Sequence, residues 1–128
     1  MGTKPWIKPL FQIAAFYDFF LGVLFLFAFK PIFAWLNVTL PNHDGYIQFP
    51  ALLVATFGVG FWLVSLNPVR NRDIVKLGIL LKLSYSGVVL YHRYFGAIPW
   101  VWVPFAWFDL IFLMSFVAAL KAIPVSKP

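Results

Sequence analysis

Apolar residues fill four windows along this chain, each near the twenty residues that a helix needs to cross a bilayer's hydrocarbon. They run over residues 10–29, 47–66, 74–95 and 100–120. Helix-breaking and polar residues punctuate them. Lys30-Pro31 predicts the end of the first span, and Pro41-Asn42-His43-Asp44-Gly45 reads as a turn. Asn67-Pro68 predicts the end of the second, with Asn71 or Asp73 placed to cap the third. The short break from Gly96 to Pro99 predicts that the third and fourth helices are antiparallel neighbours. Pro50 and Pro104 fall in first turns, where a missing N–H costs least. The apolar stretch from Pro31 to Leu40 is too short to span. It is expected to lie along the interface, with Trp35 at head-group depth. The pattern predicts an all-α integral membrane protein, residues 1–128 forming a single antiparallel four-helix bundle.

Composition agrees: 62% of the 128 residues are hydrophobic and 11% charged, against about 25% charged in soluble domains. A pI near 9.9 would suit a nucleic-acid partner. The basic residues cluster at span ends, however, which fits topology and anionic lipid instead. Without cysteine the chain has no disulfide, thiolate nucleophile or iron–sulfur ligation. No phosphate loop, nucleophile elbow or zinc-protease motif occurs.

Four spans place Lys4, Lys8, Arg70, Arg72, Lys76, Lys121 and Lys127 on one side, and leave Lys30 and Arg93 on the other. That asymmetry predicts that both termini and the second loop are cytoplasmic. The first span follows two lysines, as a signal peptide would. Asp18 interrupts it and no small-residue cleavage site follows, so it reads as a retained helix. Asn37-Val38-Thr39 is a formal glycosylation sequon on the outer side.

Asp18, Lys82 and Asp109 break the apolar pattern inside three different spans. One charge at the bilayer centre costs about 2.5–3.5 kcal/mol on insertion scales, so such charges are expected to meet one another. At about 1.5 Å rise per residue, Asp18 and Lys82 both lie roughly 12 Å from the inner face, and Asp109 roughly 16 Å. A lysine stem bridges that difference. Tyr17, Tyr85 and Ser86 point to the same level. Gly78, Lys82, Tyr85, Ser86 and Val89 form one helical stripe whose small members admit a close neighbour, as does Gly22 on the first helix. One lysine against two carboxylates leaves an excess negative charge. Either one aspartate holds a proton, or Lys76 or a partner chain supplies a second cation. An ion pair that locks helices together explains the same residues without a functional site.

His43, Asp44 and His92 fall on the outer side and form the candidate metal-ligand set, beside their ordinary roles in a turn and an interfacial group. Arg70, Arg72 and Lys76 in the inner loop are candidates for lipid or partner contact. The 16 phenylalanines and six tryptophans read as lipid-facing bulk and an aromatic belt.

The stretch from Gly58-Val59-Gly60-Phe61-Trp62 through Asn67-Pro68-Val69-Arg70-Asn71-Arg72-Asp73, with Leu77-Gly78-Ile79-Leu80-Leu81-Lys82-Leu83 after it, resembles small bacterial DoxX-like membrane proteins. The resemblance implies four helices and at most an accessory or quinone-adjacent role, and carries over no catalytic residue. The expected function is an accessory or assembly subunit of a larger bacterial inner-membrane complex, without catalysis of its own. Two alternatives stand beside it. One is a dimeric proton-coupled transporter; the other is a redox subunit that binds quinone or lipid. Expected partners are membrane lipids and other membrane subunits or a second copy. No cofactor is evident beyond a bound lipid or quinone.

Overall fold

The computed structural model describes residues 3–125. They form four α-helices: α1 (Ile7–Trp35), α2 (Gly45–Leu66), α3 (Arg72–Phe95) and α4 (Trp102–Ala122). Each is long and apolar enough to cross a membrane. No strand occurs among the described residues. The most extensive packing joins α1 to α2 and α3 to α4. Looser α2–α3 and α1–α4 contacts close the bundle, so α1 faces α3 across a diagonal.

The expected break at Lys30-Pro31 does not occur, and Pro31 lies inside α1. The stop signal is Asn37. Its φ of 56° lets Asn37 N–H bond to Ala34 O at 3.3 Å and Val38 N–H to Phe33 O at 2.9 Å. That pair of bonds is the Schellman closure, with asparagine in the left-handed position usually held by glycine. Proline removes one intrahelical bond, but transmembrane helices tolerate it where neighbours hold the backbone. Residues 31–35 are therefore a continuation of α1, not a separate interfacial segment. At 29 residues the helix measures about 43 Å, longer than the hydrocarbon thickness of about 30 Å.

Small residues bring α1 and α2 close together. A Cβ on Gly22 would stand 2.5 Å from Ala51 O, and one on Gly58 would stand 2.6 Å from the backbone nitrogen of Phe19. Ala15, Gly22, Ala51, Ala55 and Gly58 are buried along this seam. Close backbone approach of this kind is how helices associate where lipid is as apolar as leucine. Gly78 on α3 instead makes room for a ring, since a Cβ there would stand 2.5 Å from the ring of Phe61.

One end of the core is aromatic, contrary to the expectation that phenylalanine faces lipid. Phe11 stacks on Phe116 at 4.8 Å between centroids, and Phe61 meets Phe116 edge-on at 5.0 Å. All three are fully buried. Other phenylalanines do face outward, among them Phe16, Phe27 and Phe95.

Neither expected side-chain cap forms at the start of α3. Asn71 makes no capping bond there; its amide donates to Leu63 O at 2.8 Å and Asn67 O at 3.1 Å, closing the end of α2. Asp73 pairs with Lys76 at 2.9 Å. Arg72 donates from Nε to Ile123 O at 3.2 Å and from its guanidinium Nη2 to Leu120 O at 3.0 Å. Carbonyls left over at the C-terminal end of α4 thus receive a charged donor.

Candidate functional site: a charged floor beneath an apolar cavity

Lys82 stands between two carboxylates contributed by two other helices. Its Nζ lies 2.8 Å from Asp18 Oδ1 on α1 and 3.1 Å from Asp109 Oδ1 on α4. Side-chain exposure is 1% for Lys82, 3% for Asp18 and 10% for Asp109. Helical spacing explains the convergence. Val75, Gly78, Lys82, Ser86 and Val89 are the buried positions of α3, a stripe at steps of three and four.

Three aromatic rings surround the ammonium: Phe112 at 5.0 Å, Tyr17 at 5.4 Å and Phe61 at 5.9 Å from ring centroid to Nζ. Ring faces attract a cation, more so when water is excluded. Lys82 is therefore held by two carboxylate oxygens and the π-faces around them. Two buried polar atoms beside it have no hydrogen-bond partner, Asp18 Oδ2 and the Tyr17 hydroxyl. Buried polar atoms are normally satisfied, so each such exception calls for an explanation.

The remaining sequence candidates divide. Tyr85 donates its hydroxyl to Trp102 O at 2.9 Å, tying α3 to the first residue of α4. Ser86 turns back on its own helix and donates to Lys82 O at 2.6 Å. Lys76 is engaged with Asp73 and is not the second cation of the cluster. Arg72 is engaged by the carbonyls of Leu120 and Ile123 at the end of α4. Arg70 is exposed and its backbone N–H bonds to Asn67 Oδ1 at 3.1 Å.

His43, Asp44 and His92 are not brought together. No group of three or more metal-ligating side chains occurs among the described residues. His43 Nδ1 accepts the Gly45 N–H at 2.9 Å, which closes the first turn of α2. Asp44 pairs with Lys30 at 3.1 Å, and the His92 ring packs against Tyr91. Each has a local task that an ordinary turn or helix end requires.

A cavity of about 370 Å³ lies against the charged cluster and is lined by all four helices. Its floor includes Asp18, Lys82 and Asp109; Gly22, Ala51 and Val54 line its sides, and Tyr46 and Trp102 belong to the first turns of α2 and α4, whereas Pro50, expected in a first turn, lies inside α2 because that helix already begins at Gly45. The volume falls in the range of small-molecule sites, about 300–1,000 Å³, which are mostly apolar with a few placed polar groups. Sequence reasoning found the floor but not the chamber. Trp102 and Phe105 read as belt and bulk, and no periodicity marks a void between helices.

Comparison with protein-family models, with curated proteins and with solved structures gives no match for this chain.

Proposed function

We propose that this protein is an accessory subunit of a bacterial inner-membrane complex, and that it holds a small amphiphilic ligand between its helices. The observation that carries the reading is the apolar cavity against the buried Asp18–Lys82–Asp109 cluster. An ion cluster that only fastened helices would need no cavity beside it, and no unpartnered carboxylate oxygen at its edge. A ligand with an apolar body and a polar head, of the lipid or quinone class, would fill the cavity and set its head against the charged cluster. The helices alternate direction in this reading, with both termini in the cytoplasm. Arg72 at the start of α3 reaching the last carbonyls of α4 supports that arrangement, as do the basic residues at the same end. Exposed side chains such as Phe27, Phe95, Ile111 and Met114 suit lipid or neighbouring subunits.

Solubilisation from the native membrane in mild detergent tests both parts. The reading expects the chain to migrate with other membrane proteins, and organic extraction of the purified protein to release a stoichiometric small molecule. A chain that runs alone excludes the subunit role. An empty extract from a protein whose substitution Val54→Phe, at a half-buried position of the cavity lining, changes nothing in the parent complex excludes the ligand.

A further inference from the structure

We infer that the cavity takes an organic monocation, an ammonium-type head group carried on an apolar body. The inference rests on the ligand-binding reading above and adds the sign of the ligand's charge. Three observations carry it. First, the floor is unbalanced. Among the described residues, the salt bridges set one ammonium, Lys82, against two carboxylates, and Lys76 is occupied by Asp73. Second, both carboxylate residues belong to the cavity lining. Asp18 is 2% exposed with Oδ2 unpartnered, and Asp109, the least buried of the three, shares the lining. Third, the lining contains Tyr17, Phe25, Tyr46, Tyr85, Trp102 and Phe105. Aromatic faces and a carboxylate are the elements from which proteins build cages for quaternary ammonium groups.

The groups facing this chamber from each helix are consistent with that sign. They are Asp18 and Tyr17 from α1, Tyr46 as the titratable group from α2, Lys82 and Tyr85 from α3, and Asp109 from α4. An anionic head group would meet two carboxylates for one ammonium that is already bonded to both. Beside a neutral head group the excess charge has to be quenched by a proton on one aspartate, because an uncompensated charge in a medium of low dielectric is costly. A cation relieves it without that proton, and meets lining rings of which Tyr17 alone is shared with Lys82.

The test uses the full chain in micelles and two ligands of one shape: benzyltrimethylammonium and its uncharged carbon isostere, neopentylbenzene. Calorimetry is expected to show the cation binding at least tenfold more tightly than the isostere. Asp109→Asn is expected to lower the affinity for the cation at least tenfold and leave that for the isostere unchanged, whereas Asp109→Glu keeps both. If Asp109→Asn does not fold, the comparison of the two ligands on the unaltered chain decides alone. Equal affinities overturn the charge assignment and leave the cavity reading intact. Saturable binding of neither ligand overturns both.

Discussion

Lys82 and Asp18 are 2.8 Å apart, yet they belong to α3 and α1, the two helices whose backbones stay on opposite corners of the bundle. The same ammonium reaches Asp109 on α4, so one side chain connects three helices. It supports the α1–α4 seam, the sparsest of the four helix contacts.

Because two carboxylates share one ammonium, the three charges do not contribute alike. Lys82→Met leaves two buried carboxylates facing each other and is expected to cost about 3–5 kcal/mol, the usual penalty for stripping a buried pair of one partner. Asp18→Asn or Asp109→Asn leaves a balanced pair and costs clearly less than Lys82→Met. The double change Asp18→Asn with Asp109→Asn strands the ammonium and returns to the larger loss. Reversible unfolding in mixed micelles measures the series; equal losses for all three single variants would refute the asymmetry.

The α1–α2 seam predicts opposite signs for two glycines. Gly22→Ala forces a Cβ toward the Ala51 carbonyl and the Ala55 backbone, and overpacking of this kind costs about 1–3 kcal/mol. Gly87 has nothing within 4 Å of a built Cβ. Gly87→Ala therefore keeps only the helix-propensity gain, up to about 1 kcal/mol. Thermal unfolding of the two variants side by side checks the contrast.

Arg72 is predicted to outweigh its neighbour Arg70. Arg72→Ala removes two charged donors from α4 carbonyls, each such bond contributing about 1.5–3 kcal/mol where water cannot replace it. Hydrogen exchange at the last turn of α4 should accelerate in Arg72→Ala and stay unchanged in Arg70→Ala. Arg72→Lys should restore little, since a point charge does not reproduce the fork that reaches two acceptors.

The end of α1 is predicted to depend on one backbone angle. At φ 56° a β-branched residue is strained, so Asn37→Val is expected to cost about 1–2 kcal/mol. Asn37→Gly is neutral or mildly stabilising. Unfolding midpoints of the pair give the answer, and a tolerant Asn37→Val would show that the Schellman closure does not set the helix end.

The span positions were legible because apolar length and turn residues report the backbone's need to satisfy itself in lipid. Depth arithmetic then brought Asp18, Lys82 and Asp109 to one level, and their contact needed no more than a lysine's reach. What stayed hidden depends on contacts between distant segments. Pro31 carries a local stop signal, and the helix overrides it; Asn37, a residue type suited to the left-handed angle that ends α1, is the weaker signal in the sequence and the effective one. Asn71 looks like a cap for the helix that follows, but its amide serves the helix before. Arg72 reads as a surface charge until α4 is in place. Phe11, Phe61 and Phe116 cannot be told from lipid-facing phenylalanines by composition, because a bilayer and a protein interior accept the same side chain.

The division of the three charges among the helices makes the two halves of the bundle unequal. Lys82 and Asp109 lie on successive helices that pack extensively, so the α3–α4 unit brings its own counter-charge into the membrane. Asp18 has no cation within α1 or α2 at its level. Taken by itself the first pair of helices therefore carries a carboxyl group without a counter-charge, and the cation that pairs with it belongs to the second pair. One half of the bundle thus carries a matched pair of charges, and the other half depends on it for its counter-charge.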